Sequence, residues 1–168
     1  MKKMFLLLGL LASFTVASAQ NDLGVGNLQL NAGFGLSSWG TPVYLGVDYG
    51  VAEDWTVGGE ISYRSTNYGV ADRNVKYTNV GVVGNVNYHF NRLFQLPSQF
   101  DLYAGGSLGY YSWTNNYKVE GFNHHYTSGF GFALQLGGRY FFTNNFGVNL
   151  ELGGGTVSGG KLGITYKF

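Results

Sequence analysis

From Leu28 onward, apolar and polar residues alternate with a period of two, and the pattern recurs in eight separate stretches. In the first, Leu28 to Ser37, residues Leu28, Leu30, Ala32, Phe34 and Leu36 oppose Gln29, Asn31, Gly33 and Gly35. The others run Pro42 to Val51, Trp55 to Ser65, Tyr77 to Phe90, Phe100 to Trp113, Ser128 to Phe142, Phe146 to Gly155 and Lys161 to Phe168. Successive side chains of a strand point to opposite faces, so each stretch predicts a strand with one apolar face. The connections at 52–54 and 143–145 are tight turns, whereas 66–76 and 115–127 are the long polar loops. Eight strands joined in this way predict an all-β, antiparallel up-and-down barrel.

The choice of outward face comes from the other parity. A soluble barrel would need Lys and Glu on its wetted positions, but here the polar parity is mostly Gly, Ser, Asn and Gln. Short residues suit the crowded interior of a narrow barrel. Charged residues make up 11% of the chain, against about 25% in an ordinary soluble domain. Aromatic residues reach 17%, there are 28 glycines, and mean hydropathy is −0.02. That combination fits a transmembrane β-barrel, in which only alternate residues face lipid. On the apolar parity, Tyr49, Trp55, Tyr88, Phe90, Phe100, Tyr140, Phe142 and Phe146 all fall beside connections at one end, an aromatic girdle at a membrane interface. A thinner set (Trp39, Tyr63, Tyr110, Phe130) marks the other end.

The first residues have a different character. Met1-Lys2-Lys3, the apolar run Phe5 to Leu11 and Ala17-Ser18-Ala19 are the three parts of a secretory signal peptide. The expected organisation is a leader over 1–19, a short segment over 20–27 and a barrel domain over 28–168. No Cys is present, which excludes a disulfide scaffold and lipid attachment. The near-neutral charge gives no support for nucleic-acid binding.

The final strand alternates to the last residue, with Leu162, Ile164, Tyr166 and Phe168 on one face. It resembles the closing strand of Gram-negative outer-membrane barrels, and the whole mature chain resembles the small eight-stranded families typified by the OmpA transmembrane domain and OmpX. That resemblance implies an outer-membrane location, a periplasmic side for both termini, contact with outer-membrane lipid and lipopolysaccharide, and assembly as a monomer. It also implies that periplasmic chaperones and the barrel-assembly machinery act on the chain, the latter reading the C-terminal strand. The role expected is structural or surface interaction, with a filled lumen. Alternatives are adhesion through loops 66–76 and 115–127, a small-ion channel, or a lipid-modifying enzyme.

Candidate chemistry is sparse, and no catalytic, metal or cofactor residue is predicted. Gly155 to Lys161 resembles the opening of a phosphate-binding loop, but Leu162 stands where Ser or Thr would hold Mg²⁺, and a strand follows instead of a helix. His124 and His125 are adjacent, with Glu120 near, and point opposite ways on extended backbone. His124 and Ser128 lie four apart, unlike the two-residue spacing of the lipid A deacylases that the pair resembles. Tyr44, Tyr103, Tyr111 and Phe141 on the inner face raise the further idea of a hydrophobic-ligand carrier.

The inward parity also carries Asp48, Glu60, Arg64, Asp101, Arg139, Glu151 and Lys167. Ions in so narrow an interior must be paired or hydrated. The two tight turns place Arg139 diagonal to Glu151 and Asp48 diagonal to Glu60, which predicts Arg139 as the cation serving Asp48, Glu60 and Glu151.

Overall fold

The computed structural model describes residues 23–36, 40–70, 73–115, 127–155 and 159–168, with backbone alone at 68–70, 73–75 and 115. The expected leader and most of the 115–127 loop lie outside the described residues. Eight strands form: β1 (Leu28–Leu36), β2 (Val43–Ala52), β3 (Trp55–Val70), β4 (Arg73–His89), β5 (Phe100–Asn115), β6 (Gly129–Phe141), β7 (Phe146–Gly155) and β8 (Gly159–Lys167). Each pairs antiparallel with its sequence neighbours, and β8 returns to β1, closing the barrel. Closure leaves no unpaired edge, which matters most for a sheet whose outer face is apolar.

The two faces follow the period-two reading. Along β2, Val43, Leu45, Val47, Tyr49 and Val51 are exposed, while Tyr44, Gly46, Asp48 and Gly50 are buried. The barrel is therefore apolar outside and polar inside. Its buried apolar residues, among those described, are only Leu23, Tyr44, Val83, Tyr103 and Phe141. Water would penalise such a surface, whereas lipid would not.

Two connections differ from the sequence reading. The region 66–76 is mostly strand: β3 and β4 stay paired from Thr66↔Tyr77 to Val70↔Arg73. Thr66, Val70, Val75 and Tyr77 favour extended backbone, and the local polarity marks where the sheet leaves the apolar belt, not where it ends. The connection after β4 contains a short helix, α1 (Asn91–Phe94), ended by Gln95 in the left-handed conformation (φ 49°). The barrel is also lopsided. β3, β4 and β5 have 16, 17 and 16 residues, but β1, β2, β7 and β8 have only 9 or 10. One wall rises well beyond the other on the loop side.

At the turn side the aromatics form edge-to-face steps. Trp55 meets Tyr88 and Tyr88 meets Phe90, both at 5.1 Å; Phe100 meets Tyr140 at 5.1 Å and Tyr140 meets Phe142 at 5.2 Å. Tyr166 on β8 meets Phe168 just past the strand's end at 5.0 Å, continuing the series. The described part of the N-terminal segment tucks into this end. Gly26 N–H donates to Gly50 C=O (2.9 Å) and Gly50 N–H donates to Asn27 C=O (3.1 Å). A Cβ on inward-facing Gly50 would lie 2.3 Å from the Gly24 oxygen, so only glycine lets the segment cross there. Leu23 is buried beneath it.

Candidate functional site: the barrel lumen

The polar parity of all eight strands points at one axis, and the lumen divides into two levels. On the turn side lies a packed floor. Arg139 on β6 donates from Nη2 to Asp48 Oδ2 (2.8 Å) and from Nη1 to Asp101 Oδ2 (2.7 Å). Its guanidinium carbon sits 4.2 Å from the Tyr103 ring centroid. The planar fork matches two carboxylates at once, and the ring accepts its face, so a buried cation is held on three sides. Asn31 Nδ2 donates to Asp48 Oδ2 (2.8 Å), while Gln29 Nε2 and Thr165 Oγ1 donate to Asn31 Oδ1 (3.1 and 2.9 Å).

The floor continues through His89. Its Nδ1 is 2.7 Å from Asp101 Oδ1 and its Nε2 is 3.0 Å from Thr56 Oγ1. A hydroxyl, an imidazole and a carboxylate in series is the contact pattern of a nucleophilic relay. Here Thr56 and His89 are each 1% exposed, and Asp101 is shared with Arg139. Burial closes the series to bulk solvent, and it ties β3, β4 and β5 together. Lys167 completes this level, its ammonium 3.7 Å from the Phe141 ring centroid.

On the loop side the lumen opens into a cup of about 80 Å³, lined among others by Tyr44, Glu60, Arg64, Tyr111, Glu151 and Lys161. Lys161 Nζ lies 2.7 Å from Glu60 Oε2 and 3.0 Å from Glu151 Oε1. That volume holds roughly five or more waters, at about 10–15 Å³ of such space each. The cup is thus roomy enough to take up water, whereas the floor side chains beneath it are 2–4% exposed. Tyr103 joins the levels: its hydroxyl donates to Glu151 Oε2 (2.9 Å) while its ring carries Arg139.

These contacts revise the expected pairing. Arg139 reaches Asp48, but its second acid is Asp101, and Glu60 and Glu151 belong to Lys161. The diagonal relations hold in the register, since Arg139 pairs with Asn149 and Gly137 with Glu151. Diagonal neighbours on a wall are nevertheless not obliged to meet when a longer side chain reaches across the lumen. Thr56 and His89 are not singled out by the sequence, while Lys161 and Tyr103 stand out there only for a phosphate loop and a ligand carrier and not for the charge network. All share the inward parity of residues already singled out, so the signal was present.

The remaining candidates fall away or lie elsewhere. Gly155 ends β7 and Gly159 begins β8, so no helix follows the glycine-rich stretch, and its Lys161 is engaged by two carboxylates. Ser128 Oγ accepts from the Trp113 N–H (2.9 Å). His124, His125 and Glu120 lie outside the described residues. Among the described residues, no three His, Asp or Glu side chains converge as a metal site would require. Of the four inner aromatic residues, Tyr103 and Phe141 are packed against cations, whereas Tyr44 and Tyr111 line the loop-side cup. Leu162, Ile164 and Tyr166 face outward on β8, and Phe168 N–H donates to Leu28 C=O (2.9 Å).

No family model matches the chain, and neither does any curated protein. Solved structures do match. The outer membrane protein OprG from Pseudomonas aeruginosa aligns over 89% of this chain and 99% of its own, with 15% identity and a TM-score of 0.63. A structure described as a de novo designed transmembrane β-barrel aligns over 86% and 97%, with 16% identity and a TM-score of 0.55. The Yersinia pestis outer membrane protein Ail, in a phospholipid bilayer nanodisc, aligns over 85% and 99%, with 17% identity and a TM-score of 0.54. The chain has the fold of the small eight-stranded outer-membrane barrels. Likeness of fold alone assigns no role.

Proposed function

We propose that the chain is an integral outer-membrane barrel of a Gram-negative bacterium, sealed to solutes and structural or surface-interacting in role. The observation that supports this most is the pairing of an apolar exterior with a floor of satisfied ions, at whose turn-side end the 23–27 segment packs on Gly50. Every ion of the floor has a partner on another strand, so opening a path would break several charge-assisted bonds at once. Refolded protein in a planar bilayer should show no steady conductance. Heat-modifiable gel migration and a strand-rich circular dichroism spectrum should accompany it. A stable open channel in the unaltered protein would refute the sealed reading, and solubility without detergent would refute the membrane reading.

A second reading, adhesion, is favoured by the tall wall of β3, β4 and β5. Paired strands that continue past the apolar belt offer a stiff platform for a partner outside the cell. Shortening the hairpin over 66–76 should abolish surface binding to host or neighbouring cells while leaving barrel folding intact. Unchanged binding after that deletion removes this reading.

A further inference from the structure

The α1 connection holds apolar side chains where a turn-side loop would be expected to be polar. Leu93 and Phe94 are 63% and 57% exposed. They are not on a slack loop. Asn91 Oδ1 accepts from Leu102 N–H (2.9 Å), Phe94 N–H donates to Phe90 C=O (3.0 Å) and Leu96 N–H donates to Asn91 C=O (2.9 Å). On the next turn, Glu53 and Asp54 both hold the Arg92 guanidinium. Arg92 thereby ties the two connections together, with Leu93 and Phe94 left bare.

Those bare residues are continuous with the girdle. Phe94 stacks on Phe90 (5.7 Å between centroids, 24° between planes), Phe90 meets Tyr88, and Tyr88 meets Trp55. An apolar path thus runs without a break from the outer wall of β3 and β4 onto the helix. We propose that α1 is a membrane-interface anchor, its partner the headgroup–acyl boundary of the periplasmic leaflet. Leu93 and Phe94 enter the acyl edge, and Arg92 stays at the level of the phosphates with its two carboxylates. An amphipathic element fixed at that depth sets how far the barrel sinks, because neither deeper nor shallower placement satisfies both Arg92 and Phe94. A protein partner would also cover apolar residues, but the continuity with the lipid-facing wall favours lipid.

The inference rests on the membrane reading above, and one experiment separates them. The chain has no cysteine, so single positions can be labelled selectively. Leu93→Cys, Asn144→Cys on the exposed turn before β7, and Val82→Cys in the outward apolar belt would each carry an environment-sensitive fluorophore. The full mature barrel is refolded into phospholipid vesicles. The label at position 93 should be quenched by lipids with a nitroxide high on the acyl chain and several-fold less by aqueous iodide than the label at 144. Iodide quenching at 93 equal to that at 144, with 82 still lipid-quenched, overturns the anchor while the membrane reading stands. Shielding at 93 from both quenchers means another protein copy covers α1, which also overturns it. Loss of lipid quenching at 82 brings down the membrane reading and the anchor together.

Discussion

Arg139 with Asp48 and Asp101, and Lys161 with Glu60 and Glu151, are two clusters of one cation between two carboxylates inside the same barrel. They differ in solvent. The three floor side chains are 2–4% exposed, whereas Lys161 is 32% exposed and its acids 12–13%. A buried ion that loses its partner cannot be rescued by water, while one facing a hydrated cup can. Cation type follows the same division. The floor has a forked guanidinium that satisfies two fixed acids, and the cup has a flexible ammonium on a long stem. Equal formulas therefore carry unequal weight.

The largest expected effect is Arg139→Ala, which should cost about 3–5 kcal/mol, read as a fall in the urea midpoint of the refolded barrel. Asp48→Asn or Asp101→Asn added to Arg139→Ala should recover part of that loss, and Glu60→Gln should not. Recovery by Glu60→Gln alone would show that the two clusters are one network. The same variant tests the seal, since conductance in planar bilayers should appear with Arg139→Ala before any other change proposed here.

The strut between the levels comes next. A Cβ at Gly137 would lie 2.1 Å from the Tyr103 ring carbon that bears the hydroxyl. Gly137→Ala should displace Tyr103 and cost about 1–3 kcal/mol by the same titration. If the floor and cup are coupled through Tyr103, that variant should also lessen the difference between Arg139→Ala and Lys161→Ala. Lys161→Ala should be milder than Arg139→Ala, because Lys161 and its two carboxylates are more exposed than the floor ions and water in the cup can reach them. The smallest effect is that of salt. Moving from low to about 1 M ionic strength should shrink the Lys161→Ala cost and leave the Arg139→Ala cost unchanged, since the Debye length falls to about 3 Å only where ions can enter. Equal salt responses would remove the dry–wet distinction.

The strands could be read from the sequence because lipid outside and crowding inside impose opposite demands on adjacent residues. That constraint ends where the wall leaves the apolar belt. The same rule that located Leu28, Leu30 and Ala32 therefore misread 66–76 as loop. Inward parity likewise marked Asp48, Glu60, Asp101, Arg139 and Glu151 as lumen residues. Which acid meets which cation depends on reach across the axis, and the period of a strand says nothing of distances through the barrel. Lys161 shows the point: it stands at the loop-side start of β8 yet contacts Glu60 on β3. The helix α1 was hidden for another reason. Four residues are too few for a helical period to emerge, and tertiary clamps, not local propensity, hold it.

The seam between β1 and β8 has a consequence in time. Phe168, the last residue, is bonded to Leu28, the first residue of the first strand. Contacts that join the two ends of a chain are entropically the slowest to find, because the longest loop must close before any of them forms. The barrel therefore cannot shut until β8 has reached β1, and until then the sheet keeps two bare edges. Seam amides should be the last to gain protection from hydrogen exchange during refolding, well after those of the β3–β4 hairpin.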